Sequence, residues 1–230
     1  MPPPAQPGRL LKAPQAVTGA IDRVEIKTPE EVPCCSFINP SKSSRIKPSG
    51  ICGTGVINTV AQLCIHKILK PDGAFNREMT LPALGQDASG KMQYILVPEK
   101  FSREGAAISI SQKDIRSVQL GKAALISGIE FLLKEAGRRT PEKIIIAGAF
   151  GTYLDKQDMM TLGMIPVMGK DRIEIAGNSA GAGAVMALCD HHCLEKSIEM
   201  ASRITTIDLA CSQSFQAVFV QQLRFPDPAG

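Results

Sequence analysis

"IIIAGAFGTYLD", residues Ile144 to Asp155, is the stretch whose reading decides the fold. Four aliphatic residues in succession, Ile144 to Ala147, read as a buried strand, and they end in Gly148-Ala149-Phe150-Gly151. A turn built from residues this small has two uses. It reverses the chain tightly, or it lets something lie close against the backbone. Downstream, Asp155 is placed to cap a short helix that Pro166 closes. Arg172 to Ala176 reads as the next strand and runs into the small-residue stretch "GNSAGAGAVMAL", 177–188.

Moving upstream, Ser111 and Asp114 make a capping box with Asp in place of Glu. They open a long helix whose apolar face is read through Ile115, Val118, Leu125, Ile129, Leu132 and Ala136, with Gly137 as its C-terminal cap. Met92 to Val97 and Ala107 to Ile110 read as strands. Before them, Ile57, Val60, Cys64 and Ile68 fall at helical spacing until Pro71-Asp72-Gly73 stops the pattern. Ala20 to Lys27 alternates as a strand, and Thr28 to Ser49, with its cluster of prolines and serines, reads as an irregular loop. Toward the other end come a polar-faced helix from Leu194 to Arg203, a strand at Thr205 to Leu209 and a helix near Ser214 to Leu223. Strands alternating with helices predict an α/β fold, a mixed sheet with packed helices.

The chain has 230 residues, enough for a proper core, with 44% hydrophobic and 21% charged residues. Aromatics are only 4% and Trp is absent, so that core is built from Ile, Leu, Val, Ala and Met. The net charge of +4 is mild and the Lys and Arg residues are scattered, which argues against nucleic-acid binding. Residues 1–18 read as a disordered Pro-rich lead-in that cannot serve as a signal peptide. No segment reaches the roughly 18 to 20 apolar residues of a membrane helix. The reading is a cytoplasmic protein with no membrane partner, its seven cysteines reduced.

Three small-residue turns recur: Gly50-Ile-Cys-Gly53-Thr-Gly55, Gly148-Ala149-Phe150-Gly151, and Gly177-Asn178-Ser-Ala-Gly181-Ala-Gly183. Turns at helix N-termini can hold phosphate or the polar edge of a nucleotide. They serve equally for tight reversal and close helix–sheet packing. None is a Walker A loop and none carries a full dinucleotide fingerprint, which counts against an oxidoreductase of that type. In the third turn Gly177, Gly181 and Ala184 share one side of a helix, with Gly183 and Ala187 beside them. Its apolar run is too short for a membrane span, so it is predicted to pack inside the domain.

"SQKDIRSVQLGKAALISGIEFLL", "IIIAGAFGTYLD" and "IEIAGNSAGAGAVMAL", in that order, closely resemble the C-terminal domain of the corrinoid reductive activators. "GAIDRVEI", "GICGTGVINTV" and "FQAVFVQQLRFP" extend the match over residues 19–226, with 227–230 left as a tail. The resemblance implies an iron–sulfur ATPase that restores the cobalt(I) state of a partner corrinoid protein. It implies a ribonuclease H-like, actin-like lobe of the superfamily that holds acetate kinase, sugar kinases, Hsp70 and actin. Gly148, Ala149, Phe150 and Gly151 would then lie along the adenosine of ATP, bound with Mg in the complete protein. The helix entered through Gly177, Asn178 and Gly181 would connect two lobes at their hinge. A homodimer is left open.

The departures matter too. The family's Asp-Ile-Gly-Thr-type phosphate hairpins do not occur here, and no C-x₄-C-x₂-C spacing is present for an iron–sulfur cluster. On the resemblance, the chain is expected to be the second lobe alone, a fragment or split-gene product, with the cluster confined to a missing N-terminal domain. No catalytic residue is assigned. The alternative is a non-catalytic interaction module docking on a partner or on a separately encoded first lobe. "CDHHC", Cys189 to Cys193, lacks a second ligand segment, so no metal is assigned. It reads as a helix end with His near its C-terminus. Asp114, Asp155 and Asp158 read as helix caps.

Overall fold

Strand β1 (Ala20–Glu25) is the centre of the first sheet, flanked by β2 (Cys34–Phe37, antiparallel) and β3 (Gly50–Ile51, parallel). The computed structural model describes residues 16–38, 46–148, 150–209 and 213–227. The lead-in as far as residue 15, part of the Ser-rich loop, Ala149, Cys211 and the last three residues lie outside them. Strand β2 corrects the reading of Thr28 to Ser49 as loop throughout. Its sequence, Cys-Cys-Ser-Phe, shows no apolar–polar alternation, and it is held by backbone pairing with β1.

Strand β3 feeds straight into α1 (Gly53–Ile65), which lies along β1. Gly55 is what lets it approach: a Cβ there would overlap the Ile21 carbonyl oxygen. Asn58 Oδ1 accepts from Val24 N at 2.6 Å, and its Nδ2 donates 2.8 Å to the Asp158 carboxylate. The helix stops at Ile65, well before Pro71. Ile68 is buried as predicted, but from the turn beyond the helix, next to Lys67 at φ +57°.

The second sheet is antiparallel, in the order β4 (Leu84–Gln86), β5 (Met92–Val97), β6 (Ile108–Ser111). Tyr94, Leu96, Ile108 and Ile110 turn into the core. Helix α2 (Gln112–Glu135) opens with the predicted capping box: Asp114 N donates to Ser111 Oγ at 3.3 Å and Ser111 N donates to Asp114 Oδ2 at 2.8 Å. Gly137 sits at φ +65°, as a C-terminal cap requires. The buried stripe differs from the predicted one. It runs through Ile115, Val118, Gln119, Lys122, Ala123 and Ile126, while Leu125 and Leu132 are exposed.

That stripe holds the long polar side chains of Gln119 and Lys122 because residues near the end of the described chain return to it. Gln119 Nε2 donates to Leu223 O (2.7 Å), Lys122 Nζ donates to Arg224 O (2.5 Å), and Phe225 N donates to Pro71 O (2.8 Å). Phe225 is buried behind them. Helix α6 (Gln213–Gln221) packs on α2, with Phe131 and Phe215 edge to face at 6.4 Å.

Strands β7 (Ile144–Ala147) and β8 (Ile173–Gly177) form a parallel pair with Ile144 opposite Ile173. The stretch is a strand, but it is not buried on both faces. Ile144 and Ile146 are half-buried and Ile145 is 61% exposed. Helix α3 (Lys156–Thr161), capped by Asp155, rests on α1. Then come α4 (Ser179–Cys189) and α5 (His191–Ser202).

Neither α4 nor α5 contains a buried residue, which corrects the expectation of a close-packed small-residue helix. Val185, Met186 and Leu188 all face solvent. The reading of His191 and His192 as a helix C-terminus is overturned as well. Asp190 caps α5, accepting from His192 N at 2.9 Å, so the histidines begin a helix. Residues 205–209 form no strand.

Candidate functional site

The three small-residue turns converge. At the end of β7, Gly148 takes φ +97° and its N–H donates to Gly177 O at 2.7 Å, tying the ends of β7 and β8 together. Gly177 is at φ +63°. Both conformations favour glycine, and a Cβ on either residue would enter space with no atom within 4 Å. The Gly148 carbonyl accepts from Thr152 N (3.2 Å) and Thr152 Oγ1 (3.1 Å), which holds the turn from behind.

Phe150 joins the first turn to the second. Its ring lies against Gly53, where an added Cβ would stand 2.5 Å from Cε2. Phe150 as a whole is nevertheless 53% exposed. Gly53 opens α1, so the uncapped N-terminus of that helix sits beside the aromatic ring. The sequence marked the first turn without assigning it a role. Its Gly-x-Gly spacing was the available signal.

The other predicted residues act within the protein. Gly151 is buried, and a Cβ there would meet Ile146 Cγ2 at 2.5 Å. Asn178 caps α4, its Oδ1 accepting from Gly181 N at 3.1 Å. At Gly181 a Cβ would strike that same Asn178 side chain. Ala149 lies outside the described residues. Gly148, Phe150 and Gly177 therefore line the open side of the turn cluster, and Gly151, Asn178 and Gly181 fix its shape.

Beneath the site, Asp158 is not a cap, contrary to its sequence reading. It is buried, and burial raises its carboxyl above the usual range against the opposing hydrogen bond from Asn58. It couples α3 to α1. Lys156 Nζ donates to Ile173 O (2.5 Å) and Lys170 O (3.1 Å), fastening α3 to β8. On the exposed face Lys143 pairs with Glu174, and that hydrogen bond holds the carboxyl below its ordinary value.

At the α4–α5 junction, Cys193 Sγ donates 3.4 Å to Asp190, a bond that raises the thiol's pKa. Among the described residues no cluster of three or more His, Cys, Asp or Glu is placed to hold a metal ion. Among them, too, no helix is long and apolar enough to cross a membrane.

The sequence matches, over residues 8–229, the family described as the C-terminal domain of RACo, the ASKHA domain. It is 31% identical over 223 residues to the corrinoid activation enzyme RamQ of Eubacterium limosum, a match covering 93% of this chain and 36% of RamQ. A Co(II) methylated amine-specific corrinoid protein reductase of Methanosarcina barkeri is 28% identical over 180 residues, 76% of this chain and 29% of that protein. Among solved structures, a reductive activator for corrinoid, iron-sulfur protein superposes with a TM-score of 0.80 at 28% identity, over 92% of this chain and 33% of that one. The chain thus spans about a third of the length of the relatives it matches.

Proposed function

We propose, on the premise that this chain belongs to the family of the RACo C-terminal ASKHA domain, that it forms the adenosine-binding lobe of an ATP-dependent reductive activator of corrinoid proteins. The observation that carries the reading is the bridged pair of glycines. Gly148 and Gly177 join the ends of two parallel strands by a 2.7 Å hydrogen bond and leave open the space where side chains would stand. Ligands of open α/β sheets bind at the carboxyl ends of the strands, which is where these glycines lie. The residues present fit a nucleotide: the two glycines leave the backbone at the strand ends bare and open to a ligand.

When bound, ATP would supply the free energy of phosphoryl transfer, which depends on positioned groups and metal around the phosphates. This chain's part is to receive the nucleoside. Gly148 and Gly177 admit it to the backbone. Asn178 fixes the first turn of α4, which begins directly after Gly177. Gly151 and Gly181 hold the turns in shape. Movement of this lobe on ATP binding would be passed to a docked corrinoid protein. The partner and the activity of the complete protein would be those of the corrinoid activation enzyme and the corrinoid protein reductase that the chain resembles.

A second reading, an interaction module without its own ATP binding, is favoured by one observation. Helices α4 and α5 expose Val185, Met186, Leu188 and Ile198 to solvent.

The test is titration calorimetry of ATP against the chain and against Gly177→Ala. The methyl group enters open space, so folding suffers only the strain of positive φ, about 1 kcal/mol. ATP affinity is expected to fall at least about tenfold, equivalent to about 1.4 kcal/mol. Equal affinity in the two proteins removes the nucleotide from this turn. No saturable binding by the parent leaves the interaction module as the better reading.

A further inference from the structure

We infer that an apolar cleft on the outer face of the second sheet is a docking site for residues 1–15 of this same chain, with Leu10 and Leu11 seated in it. Those fifteen residues lie outside the described ones, and the inference is independent of the nucleotide reading. Strand β5 turns Tyr94 and Leu96 into the core, so Ile95 between them faces outward. A β-bulge lies beside it, between Ile95 and Val97. Ile95 lines a cleft of about 480 Å³ together with Val32, Ala83 and Pro98, and Glu99 and Lys100 complete its rim. Val32 is 68% exposed, and Phe101, next to the rim, is 56% exposed. Contiguous apolar surface left open to water marks an interaction site.

The occupant follows from where the described chain starts. Gly19 O accepts from Ser49 N at 2.8 Å, and Pro48 O accepts from Arg103 N at 2.7 Å, so that start lies beside Arg103. Lys100 is three residues from Arg103, at most about 11 Å of extended chain. Leu11 precedes Gly19 by eight residues, a reach of about 25 Å at about 3.1 Å per residue. The segment is therefore long enough to lay its leucines in the cleft. Its composition fits as well. Five prolines in fifteen residues lower the entropy lost when an extended chain docks, and Leu10-Leu11 is its one pair of large apolar side chains. Arg9 and Lys12 flank that pair, and the segment has no acidic residue. It complements Glu99 at the rim, while Lys100 Nζ lies over the Phe101 ring, 4.8 Å from its centroid.

Because the chain lacks Trp, Val32→Trp places one fluorescent reporter in the cleft, at a position exposed enough to tolerate it. In the full 230-residue chain its emission is expected to be that of a covered indole, poorly reached by acrylamide. Adding Leu10→Asp and Leu11→Asp should shift the emission to longer wavelength and open it to quenching. A synthetic peptide of residues 1–15 should reverse both changes saturably, and should leave the chain with both leucines intact unchanged. Glu99→Lys should give a smaller shift in the same direction, and stands in for the two aspartates should thermal melts show that they prevent folding. Hydrogen exchange around Ile95, measured without the reporter, should quicken when the leucines are replaced. Equal emission, quenching and exchange with and without Leu10 and Leu11 overturn the inference. So does a peptide that binds the intact chain equally well, since the cleft would then be empty. Emission that depends on protein concentration overturns it too, and gives the cleft to a second copy.

Discussion

Helices α1 and α4 leave their strands in the same way, through a glycine-containing turn, and both are rich in small and aliphatic residues. Helix α1 buries eight of its residues and α4 buries none. In α1 a glycine marks contact: Gly55 has the Ile21 carbonyl where its side chain would be. In α4 a glycine marks space, since a Cβ on Gly183 would meet nothing within 4 Å. Small side chains permit close packing, but what lies across from them decides whether packing occurs. Strand β1 lies across from α1. Among the described residues α4 has only α5 as a substantial neighbour.

The sharpest way to test this contrast is to put the same methyl group on both helices. Gly55→Ala forces the Cβ into a backbone oxygen that cannot rotate away, so α1 must lift off β1. The expected loss is about 3 kcal/mol or more in urea unfolding, the upper end of overpacking effects. A loss below about 1 kcal/mol would mean that α1 and β1 are not seated as described.

The next largest effect tests the packed half through its buried cation. Burial lowers the Lys122 ammonium to about 8. The folded state therefore releases this proton at lower pH than the unfolded chain does, and stability rises with pH between about 8 and the ordinary lysine value near 10.4. Compared with Lys122→Met, the parent should gain about 2 kcal/mol between pH about 7.5 and about 9.5. The Cys64 thiol, pushed up to about 12 mainly by burial, acts in the opposite sense. It loses stability above the unfolded thiol value, which is why the variant is the reference. Parallel pH profiles for the two proteins would show that Lys122 is solvated.

The smallest expected effect lies on α4. Gly183→Ala adds a methyl to an open helical position and should stabilise by about 0.5 to 1 kcal/mol through helix propensity alone. A loss in its place would show that the α4 face is covered in solution, and the contrast with α1 would disappear.

The parts of the fold legible in sequence were those written in local chemistry. Ser111 and Asp114 announced the start of α2, Gly137 its end, and Asp155 the cap of α3. The rest depended on partners distant in sequence. Strand β2 is a strand because β1 lies beside it. The α2 stripe turns toward Gln119 and Lys122 because Leu223 and Arg224 present carbonyls there. Periodicity cannot register that, since it scores those two residues as polar. For the site, glycine spacing pointed to the right turns but could not separate the glycines facing space from the ones facing side chains. That distinction arises only from the Ile146 side chain under Gly151 and the bond between Gly148 and Gly177.

The return of Leu223 to Phe225 onto α2 bears on how the protein is made. Lys122 and Arg224 are 102 residues apart in the chain, and Gln119 and Leu223 are 104 apart. A ribosome adding roughly 5 to 20 residues per second delivers Arg224 about 5 to 20 seconds after Lys122. Throughout that interval α1 and α2 can form, but the seat of Phe225 stays empty and the core cannot close. Folding is completed after synthesis of this segment rather than progressively along it, as contacts of long sequence separation require. Cys64 is a buried thiol that lines the same cavity as Phe225 and Pro226, so until that segment arrives it lacks their cover.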